Sequence, residues 1–406
     1  MQDTPSGMRL QIGIVGRRNT GKSSLLNMIS RQNISIVSPE AGTTTDPVHR
    51  SMEFLPLGPV MFHDTAGLDD SGALGQKRIA TTRAIIDRLD LGILVTVADR
   101  WDALEEGLLD EFRSRGIPIV VVFNKCDLAR PDGTIIRTLR DRGLEVIETI
   151  CTENQGIEDL REAMISTMQD GPVVPVSITA GVISAGDLAV LVTPIDLEAP
   201  KGRLILPQVQ TIRDLLERDA YCLVVREHQL TAALKNLKEP PVIVITDSQA
   251  FRQVAESVPP DIPLTSFSIL YSRFKGDLEA FAEGARAIDG LSTGDEVLIA
   301  EACTHHPIGD DIGTQKIPAL LNGLAGGGLK FRHVQGQDFP DSPEGLQGLR
   351  LVVHCGACML NRRNMMSRIE RCREAGVPIT NYGMTIAWCL GIFDRAMEPL
   401  KNLSDS

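Results

Sequence analysis

Four short segments in the first part of the chain have the residue types and spacing to hold a nucleoside triphosphate. Gly16-Arg17-Arg18-Asn19-Thr20-Gly21-Lys22-Ser23 follows the apolar run Leu10–Val15 and leads into a helical pattern. Gly16, Asn19, Thr20 and Gly21 shape a loop whose backbone N–H groups turn inward around phosphates. The Lys22 ammonium neutralises the β- and γ-phosphates, and the Ser23 hydroxyl ligates Mg2+. Ser24 continues the helix expected from Lys22, whose positive end adds to the anion site. Asp64-Thr65-Ala66-Gly67 offers a carboxylate for Mg2+ at Asp64, directly or through a ligand, and a backbone N–H for the γ-phosphate at Gly67. Gly42-Thr43-Thr44-Thr45-Asp46 supplies a threonine for Mg2+, assigned to Thr44 with Thr43 as the alternative. Lys22, Thr44, Asp64 and Gly67 are the catalytic candidates.

Asn124-Lys125-Cys126-Asp127 selects the base. The Asp127 carboxylate can accept two hydrogen bonds from the N1–H and 2-amino groups of guanine. Adenine has no such donor pair, and a buried carboxylate left unpaired costs about 1–3 kcal/mol or more. Lys125 can lie over the base. Cys151-Thr152 stands where a fifth guanine segment is expected, offering mainly a backbone N–H. The order of these segments resembles the translation-factor-like GTPases related to Era and TrmE. That resemblance implies a K+ site at Asn19, with K+ standing in for an arginine finger. Leu68 follows Gly67 where Ras-like proteins carry a water-orienting glutamine, so unassisted hydrolysis should be slow. Asp69 and Asp70 read as an exposed, solvated pair.

A second constellation lies far along the chain: Cys303-Thr304-His305, then His354-Cys355-Gly356-Ala357-Cys358. Each segment follows an apolar strand candidate, and ligands in open α/β sheets bind beyond the carboxyl ends of strands. Three thiols and up to two imidazoles can therefore meet. Such soft donors suit Zn2+ as Cys3His, or an iron–sulfur cluster held by Cys303, Cys355 and Cys358. In the latter, a fourth position is left to His305, His354 or an exchangeable ligand. The helix expected from Asn361, with Arg362 and Arg363, would favour an anionic cluster. Ligand chemistry alone leaves zinc and iron open. Cys126, Cys151, Cys222, Cys372 and Cys389 read as core or loop thiols.

The elements that must position these groups read as α/β throughout. Strand candidates Leu10–Val15, Val60–His63, Gly92–Val97, Pro118–Phe123 and Glu145–Ile150 alternate with helical stretches, predicting a doubly wound P-loop GTPase sheet over residues 1–172. Leu188–Val192, Tyr221–Val225 and Val242–Ile245 predict a second α/β domain over 173–262, read as a dimerisation module. Glu296–Ala300, Lys330–His333, Leu349–Val353 and Pro378–Ile379 predict a cluster-binding third unit over 263–406. The net charge of −12 argues against general nucleic-acid or membrane-surface binding. The polar start, Met1 to Arg9, does not read as a signal peptide, and no apolar run reaches about 18 residues. A cytoplasmic location is expected, where cysteines serve as thiols or metal ligands.

Cys-x-His followed after about fifty residues by His-Cys-x-x-Cys, behind a GTPase domain, resembles the [FeFe]-hydrogenase maturation GTPases, the HydF family. The likeness extends to Ile195-Asp196-Leu197 through Pro200-Lys201-Gly202-Arg203, to Thr246-Asp247-Ser248 and to Thr380-Asn381-Tyr382-Gly383. It implies a [4Fe–4S] cluster on Cys303, Cys355 and Cys358, with His305 and His354 as motif positions. It also implies a homodimer, and a transient two-iron subcluster made with two radical-SAM maturases and delivered to apo-[FeFe]-hydrogenase. GTP and GDP would then switch partner binding. Two other functions share these motifs: an RNA-related GTPase with structural zinc, and a nucleotide-gated electron carrier with a fully ligated cluster.

Overall fold

A computed structural model of the chain describes residues 4, 6–31, 39–40, 48–65, 67, 85–169, 177–195, 204–302, 311–336 and 338–401. It divides into two compact units, Met1–Val174 and Pro175–Ser406.

The first unit is built on a seven-stranded sheet. Its strands are β1 (Leu10–Val15), β2 (Pro39–Glu40), β3 (Val48–Phe54), β4 (Gly58–Asp64), β5 (Leu91–Val97), β6 (Ile119–Asn124) and β7 (Glu145–Thr149), in the order β2-β3-β4-β1-β5-β6-β7. From β4 to β7 neighbours are parallel, whereas β3 is antiparallel to β2 and β4. Side chains alternate across the pleat, so each inner strand feeds two cores. Val120 and Val122 of β6 join one cluster, and Val121 and Phe123 join the other. Helices α1 (Lys22–Arg31) and α4 (Ile157–Gln169) cover the first face, and α2 (Ala103–Ser114) and α3 (Gly133–Asp141) cover the second. The sequence did not announce β3, because its mixed polarity, Val-His-Arg-Ser-Met-Glu-Phe, lacks an apolar run.

The second unit holds two parallel four-stranded sheets. One runs β11-β10-β8-β9, from β8 (Leu188–Val192), β9 (Tyr221–Val225), β10 (Ile243–Thr246) and β11 (Leu264–Ser266). The other runs β13-β12-β14-β15, from β12 (Glu296–Glu301), β13 (Lys330–Gln335), β14 (Leu349–His354) and β15 (Ile379–Asn381). The helices are α5 (Leu206–Glu217), α6 (Leu230–Asn236), α7 (Phe251–Ser257), α8 (Phe267–Lys275), α9 (Leu278–Arg286), α10 (Ile317–Ala325), α11 (Arg362–Glu374), α12 (Tyr382–Cys389) and α13 (Phe393–Met397).

The expected division at 262/263 falls between β10 and β11. β11 pairs with β10, so a cut at that point would strip the edge strand from its sheet. The two sheets also share one core, in which Val190 and Val244 join the same cluster as Leu298 and Val352. Among the described residues no helix is long and apolar enough to cross a membrane.

Candidate functional sites

The loop after β1 turns at Gly16, passes through Asn19 with φ +60°, and enters α1 at Lys22. At Gly21, φ is +95°, and an added Cβ would lie 2.2 Å from Asn124 Nδ2, so only glycine fits. Lys22 is buried, and its Nζ donates to Gly16 O at 3.1 Å and Arg17 O at 2.6 Å. The Ser23 hydroxyl donates to Asp64 Oδ2 at 2.5 Å, which puts the expected Mg2+ ligand Ser23 beside the Asp64 carboxylate. Ser24 is exposed on the first turn of α1. Gly67 lies against the loop, since a Cβ there would sit 2.7 Å from Arg18 N. Thr44, Thr43, Leu68, Asp69 and Asp70 lie outside the described residues.

Asn124 joins the base-recognition segments to the phosphate loop. Its Nδ2 donates to Thr20 O at 2.8 Å, and its Oδ1 accepts from Thr149 Oγ1 at 3.1 Å and Cys151 N at 3.4 Å. The Cys151 N–H is thus engaged with Asn124. Lys125 has φ +62°, and Asp127 and Thr152 are exposed. Behind β1, His63 Nε2 meets Gln11 Oε1 at 2.7 Å and packs edge-on to His49. Burial first, then His49 and Arg88, push His63 down to about 3.

The thiol segment sits where β12 and β14 end side by side, with Ala300 opposite His354. Cys355 N donates to Ala300 O at 2.8 Å, and Ala302 N donates to Cys355 Sγ at 3.1 Å. The residue before Cys303 therefore touches one of the paired thiols. Ala357, at φ +53°, turns the chain to Cys358, after which Asn361 caps α11. Burial raises the Cys358 thiol, opposed by nearby Lys275. Cys303 and His305 lie outside the described residues, among which no group of three or more metal-binding side chains stands together. The donor chemistry still fits a thiophilic centre, with two thiols on one turn and the third thiol's neighbour bonded to it.

His354 departs from its expected place as a possible ligand. It is fully buried, with Nδ1 2.9 Å from Cys355 O and Nε2 2.8 Å from Arg368 Nη1. A guanidinium only donates and a carbonyl only accepts, so the proton sits on Nδ1 and the Nε2 lone pair is taken by Arg368. Arg368 is itself fixed by Gly336 O at 2.8 Å and by the Phe339 ring, whose centroid is 4.7 Å away. In this arrangement the imidazole orients the Cys355 turn and has no lone pair left for a metal. Arg362 departs too. Its Nη1 caps the end of α8 at Arg273 O (2.6 Å), Phe274 O (3.2 Å) and Gly276 O (2.7 Å). The cation near Cys358 is instead the buried Lys275, while the buried Arg368 bonds to His354, and the sequence did not single out either. Nor did it single out buried Glu301, which accepts from Tyr382 Oη and Gln335 Nε2, both at 3.1 Å. These groups meet only through folding, so no spacing in the chain announces them.

The hydrogen maturase F dimerization domain matches residues 178–276, and the hydrogen maturase F tetramerization domain matches residues 279–399. A 50S ribosome-binding GTPase domain matches residues 11–125. The tRNA modification GTPase MnmE of Cyanothece sp. is 36% identical over 166 residues, which is 40% of this chain and 35% of that protein. GTPase Der of Sulfurimonas denitrificans is 35% identical over 146 residues, which is 34% of this chain and 29% of that protein. The chain thus spans about a third of the length of these curated relatives. A crystal structure of Aquifex aeolicus Era bound to GDP and AlF4− has a TM-score of 0.34 at 20% identity, covering 54% of this chain and 95% of that one.

Proposed function

This chain belongs to the hydrogen maturase F family, and we propose that it is a GTP-hydrolysing scaffold that binds a [4Fe–4S] cluster and carries a two-iron precursor to apo-[FeFe]-hydrogenase. The observation that carries this proposal is the joining, in one chain, of a GTPase domain to both maturase F domains. The bond from Ala302 N to Cys355 Sγ supports convergence of Cys303 with Cys355 and Cys358.

In the nucleotide site, Ser23 and Thr44 would hold Mg2+, with the Asp64 carboxylate reaching it directly or through Ser23, and the ion would supply charge neutralisation between the phosphates. Lys22 exchanges the carbonyls of Gly16 and Arg17 for the β- and γ-phosphates. The Gly67 N–H faces the γ-phosphate, and Asp127 accepts from guanine while Lys125 covers it. Asn19 would ligate K+, so hydrolysis should be faster in K+ than in Na+, and equal rates would remove that role. GTP acts as a switch of partner affinity rather than as a reactant at iron. The partners are two radical-SAM maturases and the apo-hydrogenase, in the cytoplasm.

At the thiol site, Cys303, Cys355 and Cys358 would hold the cluster, which offers an exchangeable iron for docking cargo. His305 remains a candidate for that position, and His354 orients the turn. A homodimer through 178–276 is supported by apolar side chains exposed there, among them Val209, Leu216, Tyr221 and Val224.

The test is anaerobic reconstitution followed by metal analysis and EPR, with and without imidazole or cyanide. Iron with a ligand-sensitive signal is the expected result. Stoichiometric zinc without iron would favour a GTPase with a structural zinc site, and a ligand-indifferent cluster would favour electron transfer.

A further inference from the structure

Arg17, second in the phosphate loop, divides its groups between two tasks. Its buried guanidinium reaches the start of α2, where Nε donates to Glu105 Oε1 at 2.7 Å and Nη2 donates to Glu105 Oε2 at 3.1 Å and to Asp102 Oδ1. Glu105 is 1% exposed. Asp102 is the N-cap of α2 and Glu105 its third residue, and Asp102 N donates back to Glu105 Oε2 at 3.1 Å. One carboxylate therefore closes the helix start and clamps the loop. The main chain of the same arginine faces the site, where Arg17 O accepts from Lys22 Nζ at 2.6 Å and from Thr20 Oγ1 at 3.1 Å.

A buried ion pair is a poor way to gain stability, because desolvation cancels most of its attraction and an apolar pair of similar volume serves as well. What a bidentate pair adds is direction, since two parallel hydrogen bonds fix the plane of the guanidinium. We propose that Glu105 is a positioning residue for nucleotide binding: through Arg17 it fixes the Gly16 and Arg17 carbonyls that hold the Lys22 ammonium until phosphates take it over. The start of α2 is braced from its other side as well. Trp101 Nε1 donates to Glu106 Oε1 at 2.8 Å, and Arg142 Nη1 donates to Glu106 Oε2 at 2.9 Å.

This inference rests on the nucleotide site proposed above, and the full-length protein tests both. Wild-type protein that binds neither GDP nor GTP would overturn that site and this role together. Given wild-type binding, Glu105→Gln keeps the shape and removes the charge. It should weaken GDP about tenfold, equivalent to about 1.4 kcal/mol, and raise KM for GTP more than it lowers kcat. The double variant Arg17→Met/Glu105→Leu replaces the pair with apolar groups and separates positioning from stability. It should unfold at the wild-type temperature or above, yet still bind GDP weakly. A double variant that binds GDP as tightly as wild type, or a Glu105→Gln protein within twofold of it, would overturn the inference.

Discussion

At the carboxyl end of β1, the groups that would meet a nucleotide come mostly from one continuous loop, Gly16 to Ser24, and much of what they offer is main-chain N–H. At the carboxyl ends of β12 and β14, the donors are side chains from two segments far apart in the chain. The turn that carries Cys355 and Cys358 rests on a buried support of His354, Arg368 and Lys275. The first site lies on one loop between β1 and α1, which Glu105 and Asn124 hold from outside. The second exists only after a sheet, two helices and a buried guanidinium have assembled. The phosphate loop should therefore tolerate changes at the thiol site, whereas the thiol turn should be sensitive to residues that never touch metal.

The largest effect separates the sites outright. Lys22→Ala should lower GTP hydrolysis by roughly a hundredfold or more while iron content per chain stays at the wild-type value. Parallel loss of iron would mean that the two sites are not independent. In the opposite direction, Cys358→Ala should lose most of the iron on reconstitution and keep GTP turnover within about twofold, since additivity holds for sites without shared partners.

A finer cut concerns base and support. Asp127→Asn turns an acceptor into a donor, so it should weaken GTP by about tenfold to a hundredfold and favour xanthosine triphosphate, read as competition between the two nucleotides. His354→Gln should retain cluster iron and show an unchanged ligand hyperfine pattern by pulsed EPR. Its cluster should be lost faster to chelator, by about tenfold, as expected for a residue that orients a ligand. Loss of a nitrogen coupling in that variant would return His354 to the metal.

The smallest effect belongs to the first unit alone. His63 is held near 3 in the folded chain and would rise to its ordinary value of about 6.5 on unfolding. Its folded-state value is depressed, so the unfolded chain binds the extra proton, and stability falls as pH drops below about 6.5 toward 3. Between pH 7 and pH 5 the loss from this residue should be about 2 kcal/mol. Urea unfolding followed through Trp101 in a Trp388→Phe background measures it, and a flat profile would remove the effect.

Much of the architecture was legible because parallel strands buried on both faces read as short apolar runs. β1 and β8 begin and end where the runs do. β3 was not legible, because an antiparallel strand near the sheet edge can carry His49, Arg50 and Glu53 among its apolar residues. β11 was hidden by its three-residue length beside Pro263. The nucleotide residues were visible for a similar reason: a loop that wraps phosphates with backbone must place glycine, lysine and serine at fixed offsets. Glu105 lies 88 residues from Arg17, and its part in the loop could come only from the fold. His354 was legible as part of a motif and not as to role, because the guanidinium that occupies it lies 14 residues further along, on α11.

Lys275 and Arg362 give the thiol end a further consequence. Lys275, the last residue of α8, donates from Nζ to Leu360 O at 3.0 Å, and Arg362 closes the end of the same helix from α11. Both bonds cross from the 178–276 segment to the 279–399 segment, just beyond Cys358. A displacement of α8 would therefore be felt at Leu360 and Arg362, directly after the paired cysteines. A fragment severed at residue 277 would carry the cysteines without the helix end on which their turn rests.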